Sequence, residues 1–521
     1  MVNLPKSEYI RSASDTEISV QILPHESVYG TMHLSLSAYY SRVYRLRKCS
    51  HDDLASLKIA FSRALGAYPI MAGRCRRQGP NSDPHISVVL PTECLVSNEN
   101  SSVSAIGCPD NRPQDCKVYG VPFRVYRLSK TDVDDIPPLD QPLNAMDAAK
   151  YSVYENPVDV MKGNGAICTV CVYLCPDGSA TLSLTVSHAV MDGVSISSFE
   201  KTWAEESRKL FEMDPPSESC DPTAWYPHHE PLTTVAPVQR EGIAGPFEDM
   251  QDFRDAQKEF FGKVLDDGPT IDGTRWQKFV GWLCIEVLLP YIRFYDDLMY
   301  LWGVHPDQHR NVVTISKEKI KSLKEEATPP EPDWIASQDA VVAVLVKRLV
   351  EVRKKKGKYR KKRVRLVMFR DARPFLEINP NHCYGLGVLN WPITIDDPDK
   401  LSLSEVAVQI RKGLLEMHTD EKARRFWRLI TTVFEKRRWA FLTLVHQGLY
   451  DEKNSDDRLM LNNSIFPLPN FGGEIGEALS LTTQAGPSLL LPEADGGCRL
   501  MIEKELSNIL TEKLLCEAFQ Q

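Results

Sequence analysis

Apolar and polar positions along the chain switch between two periods. His33-Leu-Ser-Leu-Ser-Ala-Tyr-Tyr40 repeats every second residue, the period of a strand. Ser50-His-Asp-Asp53 then places a hydroxyl three residues before a carboxylate, in the manner of a capping box. Leu54, Leu57, Phe61 and Leu65 follow at helical spacing, which predicts a helix to about Gly66, ending before Pro69. Gly165 to Leu174 is a short apolar run of the kind a buried strand carries. Pro176-Asp-Gly-Ser179 has turn chemistry, and Thr181 to His188 alternates strictly. Two such runs across a short turn predict a β-hairpin. Ile196, Phe199, Trp203 and Leu210 share one helical face, which predicts a helix over 195–212.

Between 214 and 272 the chain is rich in Pro, Asp, Gly and His, and a long crossing loop is expected. Beyond it the pattern predicts a strand at Val312, a helix over 317–327, a helix over 337–352 and a strand over 364–369, with more helix and strand to the end. No internal repeat interrupts this order. The organisation expected is an α/β segment at 1–213, a crossing loop with an apolar insertion at 214–310, and a second α/β segment at 311–521.

Composition narrows the classes. The chain has 521 residues, 42% hydrophobic and 25% charged, which excludes disorder and coiled coil. A net charge of −8 gives nucleic acid no global attraction, so no such partner is expected. No uncharged apolar stretch of about 18 residues is present, so a spanning helix is not expected. The first residues lack a secretory core and the last carry no lipidation or peroxisomal signal. The 13 scattered cysteines are therefore expected as thiols, in a cytoplasmic and monomeric protein.

The sharpest chemistry is His188-Ala-Val-Met-Asp192-Gly193. His188 ends an alternating strand on the parity of Leu182, Leu184 and Val186, which turns it to the face that the strand buries. Asp192 and Gly193 fall in the turn into the next helix. A buried imidazole at a strand end can serve as a general base. The bland alternative is a core histidine followed by a turn Asp-Gly. Ser187 alternates to the opposite face and is no nucleophile for His188. Cys168 and Cys171, three apart on a strand, also face opposite sides. His228-His229 has no ligand cluster beside it, so no metal site is expected.

Further matches fall in order around this motif. Ser187 to Phe199, with Trp203 and Ala204, resembles the HxxxDG segment of the BAHD acyl-CoA-dependent acyltransferases. Phe61 to Arg74 is similar to that family's early helix and its Gly-Arg ending, with one extra residue between Pro69 and Gly73. Ser337 to Ala343, Asp371-Ala-Arg373-Pro with Tyr384-Gly385, and Asn470-Phe-Gly-Gly473 resemble later family segments. The resemblance spans roughly 20–490. Two departures stand out. Asn470 and Gly473 occupy the Asp and Trp places of the DFGWG motif, which the family uses structurally. Asn463-Ser464-Ile465 occupies a Thr-Ser-Trp place implicated in the oxyanion; Asn463 can donate through its amide, whereas the Ile465 side chain cannot.

The resemblance implies a chloramphenicol-acetyltransferase-like fold: two pseudo-symmetric α/β domains with mixed sheets and a tunnel at their interface. It implies acyl transfer from a CoA thioester to a hydroxyl of a specialised or lipid-like alcohol, with an amine as the other acceptor type. His188 would be the base, and Asp192 would pair with Arg373 at the turn beside Gly193. Acyl-CoA would be a co-substrate, with no bound cofactor; its contact residues are not read from the sequence. The rival functions are a condensation-type enzyme using carrier-bound acyl groups and an inactive binding scaffold. Two features stand outside the resemblance. The basic run 353–365 is expected as a solvated loop, with CoA phosphates or an anionic surface as its functional alternative. The apolar segment 276–302 is expected as a packed helical hairpin or as a peripheral membrane contact.

Overall fold

A computed structural model describes residues 8–10, 19–21, 39–77, 86–89, 121–129, 151, 165–187, 191–212, 246–261, 263–283, 311–357, 359, 362–371, 388–416, 420–437, 458–462, 468–476, 479–480, 488–493, 496–502 and 510–519. In chain order the strands are β1 (Glu8–Ile10), β2 (Ser19–Gln21), β3 (Tyr39–Leu46), β4 (Arg74–Arg77), β5 (Ile86–Val89), β6 (Val121–Arg127), β7 (Cys168–Leu174) and β8 (Ala180–Ser187). There follow β9 (Val312–Ile315), β10 (Arg363–Asp371), β11 (Val388–Asp396), β12 (Arg458–Asn462), β13 (Leu479–Ser480), β14 (Ser488–Pro492) and β15 (Cys498–Met501). The helices are α1 (His51–Ala67), α2 (Gly193–Glu212), α3 (Met250–Phe261), α4 (Arg275–Trp282), α5 (Lys317–Ala327), α6 (Ser337–Lys355), α7 (Leu403–Glu416), α8 (Asp420–Glu435) and α9 (Glu512–Phe519).

Two mixed six-stranded sheets result, in the orders β1-β6-β7-β8-β3-β13 and β11-β10-β12-β14-β15-β9. The first has one parallel pair, β6–β7, and the second has two, β10–β12 and β12–β14. A small antiparallel sheet, β2-β5-β4, stands apart. The first sheet takes its edge strand β13 from the 311–521 segment.

Each large sheet has its own core. Leu54, Leu57, Phe61 and Leu65 of α1 meet Phe199 and Trp203 of α2 over Leu182, Leu184 and Val186 of β8. Phe61 is edge-on to Phe123, Phe199 and Trp203 at 5.9, 5.5 and 4.8 Å. Trp203 stays buried because its Nε1 donates to the Leu57 carbonyl at 3.0 Å. The predicted capping box is present: Ser50 Oγ accepts from the Asp53 amide at 3.1 Å, and Asp53 Oδ2 accepts from the Ser50 amide at 2.8 Å. The β7–β8 hairpin pairs Leu174 with Ala180 across a turn in which Gly178 has φ +82°.

Two expectations need correction, and one is met only in part. The strand predicted over 33–40 is described from Tyr39, where β3 (39–46) begins, and residues 33–38 lie outside the described ones. The period-two count stopped early because Arg42 and Arg45 break it, although both are partnered in place. The crossing loop also contains a helix. In α3, Phe253, Ala256 and Phe260 enter the second core, with Phe260 edge-on to Phe426 at 4.7 Å and Trp391 at 5.7 Å. Finally, the basic run is only partly a loop. Arg353, Lys354 and Lys355 form the last turn of α6, where cations complement the helix dipole, and Arg353 is buried.

Candidate active site

All eight residues of β8 are buried. Leu182, Leu184 and Val186 face the helices, while Thr181, Ser183, Thr185 and Ser187 face the other way. The alternation read from the sequence is therefore apolar against hydroxyl, not inside against outside. Small hydroxyls tolerate burial when they find partners. Thr181 Oγ1 accepts from Arg45 Nη1 at 3.3 Å, and Ser41 and Thr185 hydroxyls lie 3.4 Å apart.

The last rung of β8 is the Ser187 amide on the Ile167 carbonyl at 2.7 Å. The Met191 amide then donates back to the Ser187 carbonyl at 3.4 Å. His188 falls between these two, outside the described residues, as do Arg373 and Asn463. Asp192 is buried, and its Oδ1 accepts from the Ser195 amide at 3.0 Å while its carbonyl accepts from the Ile196 amide at 3.0 Å. Asp192 thus caps the first turn of α2, with Gly193 as the first helical residue. A carboxylate suits this place because the first amides of a helix lack intrahelical partners.

A buried cluster not foreseen from the sequence holds the same turn from behind. Arg42 of β3 donates through Nη2 to the Gly193 carbonyl at 3.2 Å and to Ser197 Oγ at 2.8 Å. Its Nη1 lies 3.2 Å from Glu200 Oε2. Tyr44, two residues on and on the same face, donates to Glu200 Oε1 at 2.7 Å. Burial pushes the Glu200 carboxyl above its ordinary range, and the Arg42 charge and the Tyr44 hydrogen bond offset part of that rise. Burial, reinforced by the Glu200 charge, pushes the Tyr44 phenol well up. The guanidinium fork spans carbonyl, hydroxyl and carboxylate at once, which a lysine cannot do.

The Asn470-Phe-Gly-Gly473 segment docks on the far end of α2. Phe471 is buried and edge-on to Trp203 at 5.1 Å. Asn470 Oδ1 accepts from the Gly472 amide at 3.0 Å, and its carbonyl accepts from Arg208 Nη1 at 2.6 Å. An aspartate would offer the same acceptor, which explains why the amide serves here. Gly472 has φ +79°, and a Cβ there would lie 3.2 Å from the Arg208 Cα. Gly472→Ala is expected to destabilise the fold by about 1–2 kcal/mol or more, read as a shift in the urea midpoint. An unchanged midpoint would mean that this turn is not packed on α2.

The extra residue between Pro69 and Gly73 is taken up by a 3₁₀ turn, Pro69–Ala72. Cys168 lies in the helix-side core and Cys171 in the small cluster on the opposite face, as their spacing predicted. Burial pushes the Cys168 thiol well up, so it is not poised as a thiolate. His228-His229 lies outside the described residues, among which no group of three or more His, Cys, Asp or Glu could hold a metal ion. In the basic run, Lys354 pairs with Asp399 at 3.2 Å and Lys355 with Glu351 at 2.7 Å, along an open groove between α5, α6 and α9.

The chain thus has a mixed-sheet α/β fold carrying a strand–turn–helix with a capping Asp192. Residues 115–259, which include His188 to Gly193, match the family described as Transferase family. Over that stretch, which is less than a third of the chain, it is similar to this family of transferases. Among solved structures it is similar to F. graminearum TRI101 complexed with coenzyme A and deoxynivalenol, at 14% identity and TM-score 0.56 over 95% of this chain and 96% of that one. Vinorine synthase matches at 14% identity and TM-score 0.52, over 98% and 97% of the two chains. The first condensation domain of the CDA synthetase matches at 13% and 0.52, over 96% and 91%. At these identities the likeness is one of fold. No curated protein matches the chain.

Proposed function

We propose that the protein transfers an acyl group from a CoA thioester to the hydroxyl of a specialised or lipid-like alcohol, with His188 as general base. The observation that carries this is the capped turn: Asp192 holds the start of α2 while Met191 and Ser187 close the chain around 188, inside the family-matched stretch. The coenzyme A in the TRI101 structure supports the donor class. In this reading the protein is a cytoplasmic monomer of two domains with the site at their interface. Asp192 pairs with Arg373, and segment 276–302 meets a membrane.

The imidazole of His188 takes the proton as the acceptor oxygen attacks the thioester carbonyl. The tetrahedral oxyanion is met by a donor, for which Asn463 is the candidate. It collapses by expelling the thiolate, which recovers the proton from the imidazolium and leaves as free CoA. Positioned base catalysis is worth about 10²–10⁴ in rate, and one oxyanion donor about 3–4 kcal/mol. The fold likeness to a condensation domain favours a second reading, acyl transfer from a carrier thioester.

Thiol release from a panel of acyl-CoAs, with and without added alcohols, tests the choice. Release that needs both a free CoA ester and an alcohol supports the first reading. Turnover confined to carrier-bound acyl groups selects the second, and no turnover with either donor leaves a binding scaffold.

A further inference from the structure

The described residues expose five large hydrophobics to an appreciable degree: Ile59, Trp276, Phe279, Trp334 and Leu415. Two of them, Trp276 at 69% and Phe279 at 48%, lie three residues apart on α4, with ring centroids 5.6 Å apart. Trp334, at 56%, has the Arg411 guanidinium over its ring at 4.5 Å. Trp276 and Phe279 are thus two exposed rings side by side on one helix. Two exposed cations, Arg275 and Lys278, flank them. From 273 to 285 the sequence holds those two cations and no carboxylate, in a chain whose net charge is −8.

The patch stands on a firm base. Arg437, fully buried, is paired with Asp266 and donates through Nη1 to the carbonyls of Thr270 and Ile271, at 2.5 and 3.1 Å. Gln257 Oε1 accepts from the amides of Leu265 and Asp266 at 2.8 and 2.9 Å. Three residues after Ile271 a reciprocal capping box starts α4: Thr274 Oγ1 accepts from the Gln277 amide at 3.2 Å, and Gln277 Oε1 accepts from the Thr274 amide at 2.8 Å. The aromatic pair is thus carried by a helix whose start is held to the body of the protein. This patch opens the apolar insertion read from the sequence, and the structure shows which of its rings are exposed.

We infer that α4 docks on the surface of an anionic phospholipid bilayer, Trp276 and Phe279 entering the headgroup layer while Arg275 and Lys278 meet lipid phosphates. This deepens the reading of 276–302 as a membrane contact by naming the surface and the residues that make it. Tryptophan is favoured at that depth because its ring is amphipathic. Each cation near an anionic surface adds about 1 kcal/mol, or roughly fivefold in binding. At about 1.5 Å per residue the eight residues of α4 reach only some 12 Å, so they lie in the interface and do not cross it. A second copy of the chain is the poorer occupant, since a two-fold contact through this patch brings its cations together. Anchored there, the enzyme would take a lipid-like alcohol from the bilayer in place of dilute water.

Flotation of the full chain with phosphatidylcholine vesicles, with and without phosphatidylserine, tests this without any enzyme assay. Binding is expected to the phosphatidylserine vesicles and to weaken with salt. Trp276→Ser with Phe279→Ser should lower it at least about tenfold, and Arg275→Gln with Lys278→Gln about twentyfold or more, while removing the salt dependence. All four side chains are exposed, so the variants should keep the wild-type melting curve, and thiol release from acyl-CoA with a water-soluble alcohol should persist. The inference falls if the wild type stays soluble with both vesicles, or if folded variants bind as well as it does. It also falls if the patch variants turn a dimer into a monomer, since the occupant is then a second copy. Loss of thiol release in all proteins alike, with vesicle binding intact, would overturn the acyltransfer reading and leave this one standing.

Discussion

His188→Ala is expected to lower turnover at least about a hundredfold, with the fold retained. The general-base contribution sets the size of the loss. The fold should survive because the turn is closed by backbone and by Asp192: the Met191 amide on the Ser187 carbonyl, the Ser195 amide on Asp192 Oδ1 and the Ile196 amide on the Asp192 carbonyl. None of these needs the imidazole. The signature should be a fall in kcat with little change in KM for the CoA ester, since a base acts mainly in the transition state. Loss of the acid limb of the pH profile should accompany it, because the remaining rate no longer depends on a neutral imidazole. A folded variant with near-wild-type turnover would remove His188 from the mechanism and return it to the role of a core histidine.

Local signals were the legible ones. The Ser50–Asp53 capping box, the hairpin turn at Asp177-Gly178 and the helical spacing of Ile196, Phe199 and Trp203 each lie within a few residues, and each formed as read. The helix after the motif begins at Gly193, two residues earlier than its apolar face suggested, because Asp192 caps it and apolar spacing cannot see a cap. Helix α3 was hidden by composition: Phe253 and Phe260 have helical spacing, but they sit in a stretch whose Pro and Asp content pointed to a loop. The extended reach of the fold was not legible at all. Arg42 and Glu200 stand 158 residues apart in sequence, and no spacing rule joins them. The structural role of Asn470-Phe-Gly-Gly473 was foreseen by resemblance. Its mechanism, an acceptor on the Gly472 amide and a ring against Trp203, needed the structure.

Arg42→Met is expected to destabilise the protein by about 3–5 kcal/mol near neutral pH, the cost of leaving a buried partner uncompensated. The partner is Glu200, whose carboxyl is already raised by burial and held back by Arg42 and Tyr44. Removing Arg42 raises it further. The sign follows from proton uptake: a carboxyl with a raised folded-state pKa binds more protons when folded than when unfolded. Its contribution is therefore fully present below the unfolded value and is lost as pH rises through the folded one. The deficit of Arg42→Met relative to the wild type should be smallest on the acid side and grow toward neutral pH, as Glu200 is forced to ionise without its cation. Glu200→Gln in the same chain should recover most of the loss and flatten the pH dependence, which a double-mutant cycle of urea midpoints at several pH values would measure. Turnover should fall as well, since the Gly193 carbonyl and Ser197 hydroxyl lose the guanidinium that holds the turn after His188. Arg42→Lys separates the two effects: it keeps a charge for Glu200, and so most of the stability, but cannot reach all three acceptors. A deficit that is flat with pH, or an Arg42→Lys variant with full turnover, would show that the cluster merely fills space behind the turn.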